Sequence, residues 1–295
     1  MSILITTPTG NIGRRALEQL LKAGADVSVI VRQPEKLSDS VRDRVKIYQG
    51  SLYDVTVVTN AFKGARAALW VTPPDFTHPS VTDYHRELGD SAASAIRESK
   101  IPYVVNVSSA GSGLKNAGPI SGLGIIEDKM NQVAENIVHL RPGFFMENYL
   151  SEIESIRHQG SVYSLIPGDI PFPLVATRDI GDVAAKLMLE TNWEGKSVRG
   201  LHGPADLTFT NAAKILSDSI GKPVRFIQIA SDQVYQSFLS MGASPGFAKA
   251  IVEMYQALAQ PGAIAEPRTP QSTNPTSLRE WSDEVLRPLL SSDKH

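Results

Sequence analysis

The chain contains no cysteine. Disulfides, thiolate nucleophiles and cysteine-held metals are excluded together. A long apolar run is also missing: nothing approaches the ~18 residues that a membrane-spanning helix needs. Residues 1–10 carry no basic stretch ahead of an apolar one, so no secretory leader is read there. An excess of either charge is absent too. Lys and Arg number 29 against 31 Asp and Glu, a net charge of −2. That balance argues against nucleic acid or an anionic membrane surface as a partner. There is no internal repeat. His78 and His85 are not placed as a metal pair, so no metal site is read. What remains is a globular protein, expected in the cytoplasm. Its 295 residues suit two units of ~150 residues or one large α/β unit.

What is present is alternation. Short apolar runs lie at Ile3–Ile5, Val27–Val31, Val45–Tyr48, Ala67–Val71, Tyr103–Val107 and Ile137–Leu140. Helical patterns separate most of them, among them Arg14–Lys22, Val81–Glu98 and Ile126–Asn136. Buried strands alternating with amphipathic helices predict an α/β fold, a doubly wound parallel (Rossmann) sheet. Residues 1–150 are expected to form that domain. Beyond Pro142 strands thin out and helices dominate, at Asp179–Leu189, Asn211–Ile220 with Thr208 as N-cap, Ser231–Met241 and Pro245–Ala259. Residues 151–295 thus read as a smaller, mostly helical substrate lobe that does not fold alone, with 162–203 returning to the first domain. Gln260–Pro275, rich in Pro, Thr and Gln, reads as a loop or tether.

The strongest local signal is Thr-Thr-Pro-Thr-Gly-Asn-Ile-Gly at 6–13, between the first strand and the first helix. Such a turn lets a pyrophosphate approach the backbone and rest on the positive end of the helix. Thr9, Gly10, Asn11, Ile12 and Gly13 are the candidate contacts. Thr7 and Pro8 stand where a first glycine would be usual. The second strand ends not in the acid that binds a ribose 2′-hydroxyl but in Arg32, with Lys36 one turn on. A guanidinium there can clasp a 2′-phosphate, so NADP(H) is expected over NAD(H). Ser51 and Leu52 lie where an adenine edge would sit, and Thr72, Pro73 and Pro74 end the fourth strand at the same sheet edge.

The residues Thr-Gly-Asn-Ile-Gly (9–13), Val-Arg-Gln-Pro-Glu-Lys (31–36), Val-Thr-Pro-Pro (71–74), Val-Ser-Ser-Ala-Gly (107–111) and Leu-Arg-Pro-Gly-Phe-Phe-Met-Glu-Asn (140–148) together resemble the NmrA-like family of atypical short-chain dehydrogenases/reductases. Asp-Ile-Gly-Asp-Val-Ala (179–184) and Leu-His-Gly-Pro-Ala-Asp-Leu-Thr-Phe (201–209) extend the likeness over nearly the whole chain. The resemblance implies NADPH-dependent reduction of quinones, triphenylmethane dyes, azo compounds or phenylpropanoids, or else non-catalytic sensing of NADP. It also implies that Ser108, Phe144, Phe145 and Asn148 join the cofactor contacts.

The chain departs from typical short-chain enzymes in having no Tyr-x-x-x-Lys after the fifth strand. Between Val104 and Asn148 there is no Tyr at all. The usual acid for an alkoxide is therefore missing. A conjugated acceptor needs it less, because the transferred charge delocalises. Ser108 is the candidate oxyanion donor, and Phe145, Met146, Tyr235 and Phe238 the candidate substrate-pocket wall. His139 reads as a core histidine. The expected activity is NADPH-dependent reduction of a quinone-like or other conjugated aromatic acceptor. The expected partners are a small aromatic substrate and, as an assembly, a homodimer. A cofactor-occupancy sensor and a non-redox cyclase or isomerase remain as alternatives.

Overall fold

A computed structural model describes residues 1–264 and 266–291. Ala265, inside the expected 260–275 loop, and residues 292–295, at the end of the second lobe, lie outside the described residues. Six strands come first: β1 (Ser2–Ile5), β2 (Val27–Val31), β3 (Val45–Gln49), β4 (Ala65–Val71), β5 (Tyr103–Val107) and β6 (Asn136–Pro142). Between them lie α1 (Asn11–Lys22), α2 (Asp39–Arg42), α3 (Val55–Phe62), α4 (Val81–Ser99) and α5 (Pro119–Asn131). Then follow β7 (Phe144–Phe145), α6 (Ile153–Gln159), β8 (Ser161–Ser164), β9 (Pro171–Val175), α7 (Thr177–Glu190), β10 (Lys196–Leu201), β11 (Asp206–Thr208) and α8 (Phe209–Ile220). The last elements are β12 (Arg225–Gln228), α9 (Ser231–Ser240), α10 (Pro245–Leu258), α11 (Leu278–Trp281) and α12 (Arg287–Ser291).

The main sheet has the order β10-β6-β5-β4-β1-β2-β3, with every neighbouring pair parallel. It is a doubly wound α/β sheet whose order reverses between β1 and β4, the place where such folds bind ligands. Successive strand residues bury on opposite faces. Ile3, Ile5, Val29 and Leu69 pack with Leu17, Leu20 and Ile180 of α1 and α7. Leu4, Ile30, Ala68 and Trp70 pack with Phe62, Leu88 and Ile126 of α3, α4 and α5. Both faces are covered, which is why these strands read as continuous apolar runs.

Late residues complete this layer. β10 pairs with β6. α7 lies on α1, fixed by a bidentate Arg15–Asp182 pair at 2.6 and 2.9 Å. The helical second lobe carries two small sheets, β11-β9-β7 and β12-β8. Strands of two to five residues are too short for alternation to show.

The fifth helix corrects the expected range. It runs Pro119–Asn131, and Asn136 already belongs to β6. Gly122 and Gly124 lie in its first half, and both are needed there. A Cβ on Gly122 would lie 2.5 Å from the His85 ring, and one on Gly124 2.5 Å from the Ser112 carbonyl. Close helix packing overrides helix propensity here. Gln260–Pro275 is no free tether: His202 donates its N–H to Ser272 O at 2.7 Å and accepts one from Asn274 N at 2.7 Å. No helix among the described residues is long and apolar enough to cross a membrane.

Candidate functional site: a dinucleotide cleft at the sheet edge

Because the sheet is parallel, all its carboxyl ends share one edge. Thr6, Arg32, Gly50, Thr72, Ser108 and Gly143 each follow directly on a strand, β1 to β6 in turn, and so gather there. The loop after β1 is stitched to β4. Thr6 N–H donates to Leu69 O at 3.1 Å, and the Thr6 hydroxyl accepts from Val71 N–H at 3.0 Å. Gly10 N–H turns back onto Thr7 O at 3.3 Å. Thr7 does not adopt positive φ, so a threonine in place of the first glycine is not strained. Thr9, Gly10 and Asn11 are exposed and Ile12 and Gly13 buried. No side chain caps the α1 N-terminus. An uncapped helix N-terminus of this kind favours negative charge.

Arg32 and Lys36 are exposed beside this loop, and neither forms an ion pair among the described residues. The Arg32 charge reaches the hydroxyl of Tyr84. Tyr84 is buried in α4 and donates to Pro73 O. Its ring meets that of Tyr53 edge-on at 5.8 Å. Burial pushes the Tyr84 hydroxyl well above its ordinary value, outweighing the Arg32 charge that pulls it down. Tyr53 is 41% exposed, an aromatic face next to Ser51. Sequence reasoning stopped one residue short of it. Thr72 and Pro73 are half-buried and Pro74 exposed, as is Ser51 half-buried. Leu52 turns inward to the α3 core layer, a correction to its expected place against the adenine.

Beyond β6 the backbone alternates, and this divides residues that the sequence reading grouped. Phe145 packs over the main-sheet cluster with Val107 and Leu140. Phe144 points the other way, edge-on to Phe209 at 5.3 Å. Met146 is 1% exposed in the second-lobe core. Met146 is thus taken up by core packing, while Phe144, like Phe145, stays half-buried just past the end of β6. Asn148 is exposed on the short 3₁₀ turn of Met146–Glu152. Phe238 packs against Phe247 at 6.0 Å, and Phe247 against Phe76 at 4.9 Å. Tyr235 is half-buried on the same helix, α9. Ser244, the cap of α10, accepts no bond from the β4–α4 loop but donates twice to it: N–H to Phe76 O at 2.8 Å and hydroxyl to His78 O at 2.7 Å. The second lobe is thereby docked beside the cleft.

Ser108 is buried, with its hydroxyl 2.8 Å from that of Ser112, either of which could donate to the other. Its hydroxyl also helps to draw the Glu127 carboxyl down. Glu127 in turn holds Arg141 at 2.9 and 2.6 Å, and Arg141 reaches Glu266 at 2.7 Å. Burial pushes Glu127 up, but the Arg141 and Ser108 bonds together hold it below its ordinary value. His139 is a satisfied core histidine, bonded to Asn106 at 3.0 Å and Asn131 at 3.1 Å.

A second titratable group escaped the sequence reading. Glu152 accepts Tyr163 N–H at 2.6 Å, and burial pushes its carboxyl up to about 7. A raised folded-state value means the fold binds the proton more tightly than the unfolded chain. Stability from this group is full below the ordinary value of 4.5 and lost as pH rises through about 7. Glu152→Gln is expected to be about 2 kcal/mol more stable than the parent at pH 8, with the gap under ~1 kcal/mol at pH 5. Urea unfolding at the two pH values checks this; a gap independent of pH overturns it.

Comparison with known proteins places this geometry. The NmrA-like family model matches residues 1–282. The chain belongs to the NmrA-like family. It is 27% identical over 268 residues to NAD(P)H azoreductase of Xenophilus azovorans, 89% of each chain being covered. Among solved structures, it superposes on the NADPH-dependent quinone oxidoreductase of Escherichia coli complexed with NADPH with a TM-score of 0.77 at 21% identity, covering 96% and 99% of the two chains. Citrobacter sp. triphenylmethane reductase gives 0.81 at 20%, covering 97% and 100%. At those identities the two structures share the fold. The NmrA-like chain described here has an uncapped α1 at the switch point of its sheet.

Proposed function

We propose that the chain is an NADPH-dependent oxidoreductase of the cytoplasm that reduces a quinone-like or other conjugated aromatic acceptor. The observation that carries this reading is the uncapped α1 N-terminus behind the tight Thr7–Gly13 turn, with the exposed, unpaired Arg32 and Lys36 beside it. The residues present fit a phosphorylated dinucleotide. The N–H groups of residues 11–13 would hold a pyrophosphate, and Arg32 with Lys36 a 2′-phosphate. Tyr53 and Ser51 would flank the adenine, and Phe145 would back the reacting ring. NADPH, when bound, supplies a hydride. The protein's part is to bind, orient and exclude water. The Tyr-x-x-x-Lys acid pair is missing after β5, and the Tyr84 hydroxyl is spent on Pro73 O. That suits an acceptor whose charge delocalises, and the relatives named for azo, quinone and triphenylmethane substrates support it.

Calorimetric titration tests the cofactor half. Arg32→Ala is expected to weaken NADPH at least tenfold and NADH less than threefold, since a charge-assisted phosphate contact contributes about 1.5–3 kcal/mol. Equal losses for the two cofactors overturn the 2′-phosphate reading. Consumption of NADPH followed at its absorbance with a naphthoquinone, an azo dye or a triphenylmethane dye tests the other half. The missing Tyr-x-x-x-Lys pair favours one second reading, a sensor: tight binding with different affinity for the oxidised and reduced forms and no turnover with any acceptor would establish it.

A further inference from the structure

α7 begins without a cap of its own. The residue before its first turn is Ala176, whose side chain accepts nothing, and the first N–H groups of a helix have no acceptor within it. The acceptor comes from 30 residues earlier in the chain. Both carboxylate oxygens of Glu147 take the Thr177 N–H, at 3.1 and 3.0 Å. Oε1 also accepts the Trp281 Nε1–H at 3.2 Å. The carboxylate therefore lies on the positive end of α7, where negative charge is favoured. Trp281 is 0% exposed, so its N–H is held in place by core packing.

This carboxylate joins two parts of the cleft. On one side, Glu147 stands between Phe145, proposed above to back the reacting ring, and Asn148, an expected cofactor contact. The only strand that holds these residues is β7, two residues long, which pairs Phe145 with Val175. On the other side, α7 rests on the first turn of α1. A Cβ on Gly181 would lie 2.9 Å from Ile12 O and 2.7 Å from Arg15 Cβ, so the two helices touch at the backbone. The bidentate Arg15–Asp182 pair closes that contact. α1 is the helix whose N-terminus is proposed to seat the pyrophosphate. Glu147 thus ties the ring wall, by way of α7, to the phosphate end.

We propose that Glu147 is a positioning residue: it holds Phe145 and Asn148 at a fixed reach from the α1 N-terminus, so that a ring carried on a phosphate-bound dinucleotide meets its wall in one register. The inference rests on the dinucleotide reading above. It predicts a split between affinity and alignment. The phosphate contacts lie on α1 and Arg32, and the Arg15–Asp182 and Gly181 contacts keep α7 on α1 without Glu147. Affinity is therefore expected to stay. Alignment is expected to suffer, since a misplacement of about 1 Å costs on the order of 10²-fold in rate.

The test compares the full-length parent with Glu147→Ala and Glu147→Gln. Calorimetric titration with adenosine 2′,5′-bisphosphate, which carries only the phosphate end, and with NADPH is expected to give affinities within threefold of the parent's. The fluorescence of bound NADPH reads the surroundings of the ring without turnover, and its enhancement is expected to fall at least twofold in Glu147→Ala. With a naphthoquinone and NADPH deuterated on either face of C4, kcat is expected to fall at least tenfold in Glu147→Ala, with a larger primary isotope effect than the parent's. Glu147→Gln, whose amide oxygen can still accept the Thr177 N–H, is expected to recover most of both. Lost stability alone lowers the amount of active protein and moves neither the isotope effect nor the emission per bound NADPH. Unchanged emission and isotope effect in Glu147→Ala overturn the proposal. So does a loss of bisphosphate affinity as large as the loss of rate. Should Glu147→Ala not fold, Trp281→Phe removes one of the three bonds and keeps a ring in the core; it is expected to show the same split at twofold or more in kcat, and an unmoved isotope effect and emission there overturn the proposal too. A parent that does not bind NADPH overturns the dinucleotide reading and this inference together. A parent that binds NADPH and turns over no acceptor overturns only the reductase reading, and the emission of bound NADPH then decides the role of Glu147.

Discussion

Arg141→Leu is expected to lose about 3–5 kcal/mol of stability at pH 8, the usual cost of removing one partner from a buried ion pair. The side chains of Glu127 and Glu266 are only 5% and 9% exposed, and Arg141 lies between them. Without the guanidinium, two carboxylates face each other in the gap between α5 and the strap. The pH dependence carries the sign of the effect. In the parent, Glu127 is held below its ordinary value, so its contribution is present above the unfolded pKa and is lost as pH falls through the depressed value. In the variant Arg141 no longer offsets burial at Glu127, so its carboxyl is raised instead and costs most at high pH and least once protonated. The deficit is therefore expected to shrink by 1 kcal/mol or more between pH 8 and pH 5. Urea unfolding of both proteins measures it. A deficit below ~1 kcal/mol, or one that does not change with pH, means the triad is wet and weak.

This triad also shows where sequence reasoning stops. Val27–Val31 and Tyr103–Val107 were legible to the residue, because a strand covered on both faces is a short apolar run between two helices. Thr208 was legible as a cap, since its hydroxyl accepts Asn211 N–H at 3.0 Å, a contact three residues long. Arg32 was legible by its place at a strand end. The partners of Arg141 were not, because Glu127, Arg141 and Glu266 lie far apart in the chain and meet only through the fold. The opposite packing of Phe144 and Phe145 was hidden for a different reason. They follow β6 at the right edge, but a strand turns alternate residues away, and no pattern two residues long shows which.

The two loop glycines, equal in sequence, are expected to part company when replaced. A Cβ on Gly13 would lie 2.0 Å from Thr7 O and 2.8 Å from Thr7 C. Those are backbone atoms of the turn itself, which Thr6 ties to β4, so the turn and α1 must separate. A Cβ on Gly10 would find only Thr7 O, at 3.8 Å, and φ there is −81°, open to any residue. Gly13→Ala is thus expected to lose about 1–3 kcal/mol of stability, the range of overpacked sites, and nucleotide affinity with it. Gly10→Ala is expected to leave the unfolding midpoint unchanged to within ~0.5 kcal/mol. Its Cβ would instead occupy the space through which a pyrophosphate reaches the helix end, so NADPH affinity is expected to fall at least tenfold in a protein of normal stability. Thermal unfolding without nucleotide and calorimetric titration with NADPH read the two effects separately. If Gly10→Ala binds NADPH as the parent does, the phosphates do not lie on the α1 N-terminus, and the dinucleotide reading of the cleft fails at its centre. If Gly13→Ala keeps its stability, the turn is more pliable than the Thr6 bonds to β4 imply.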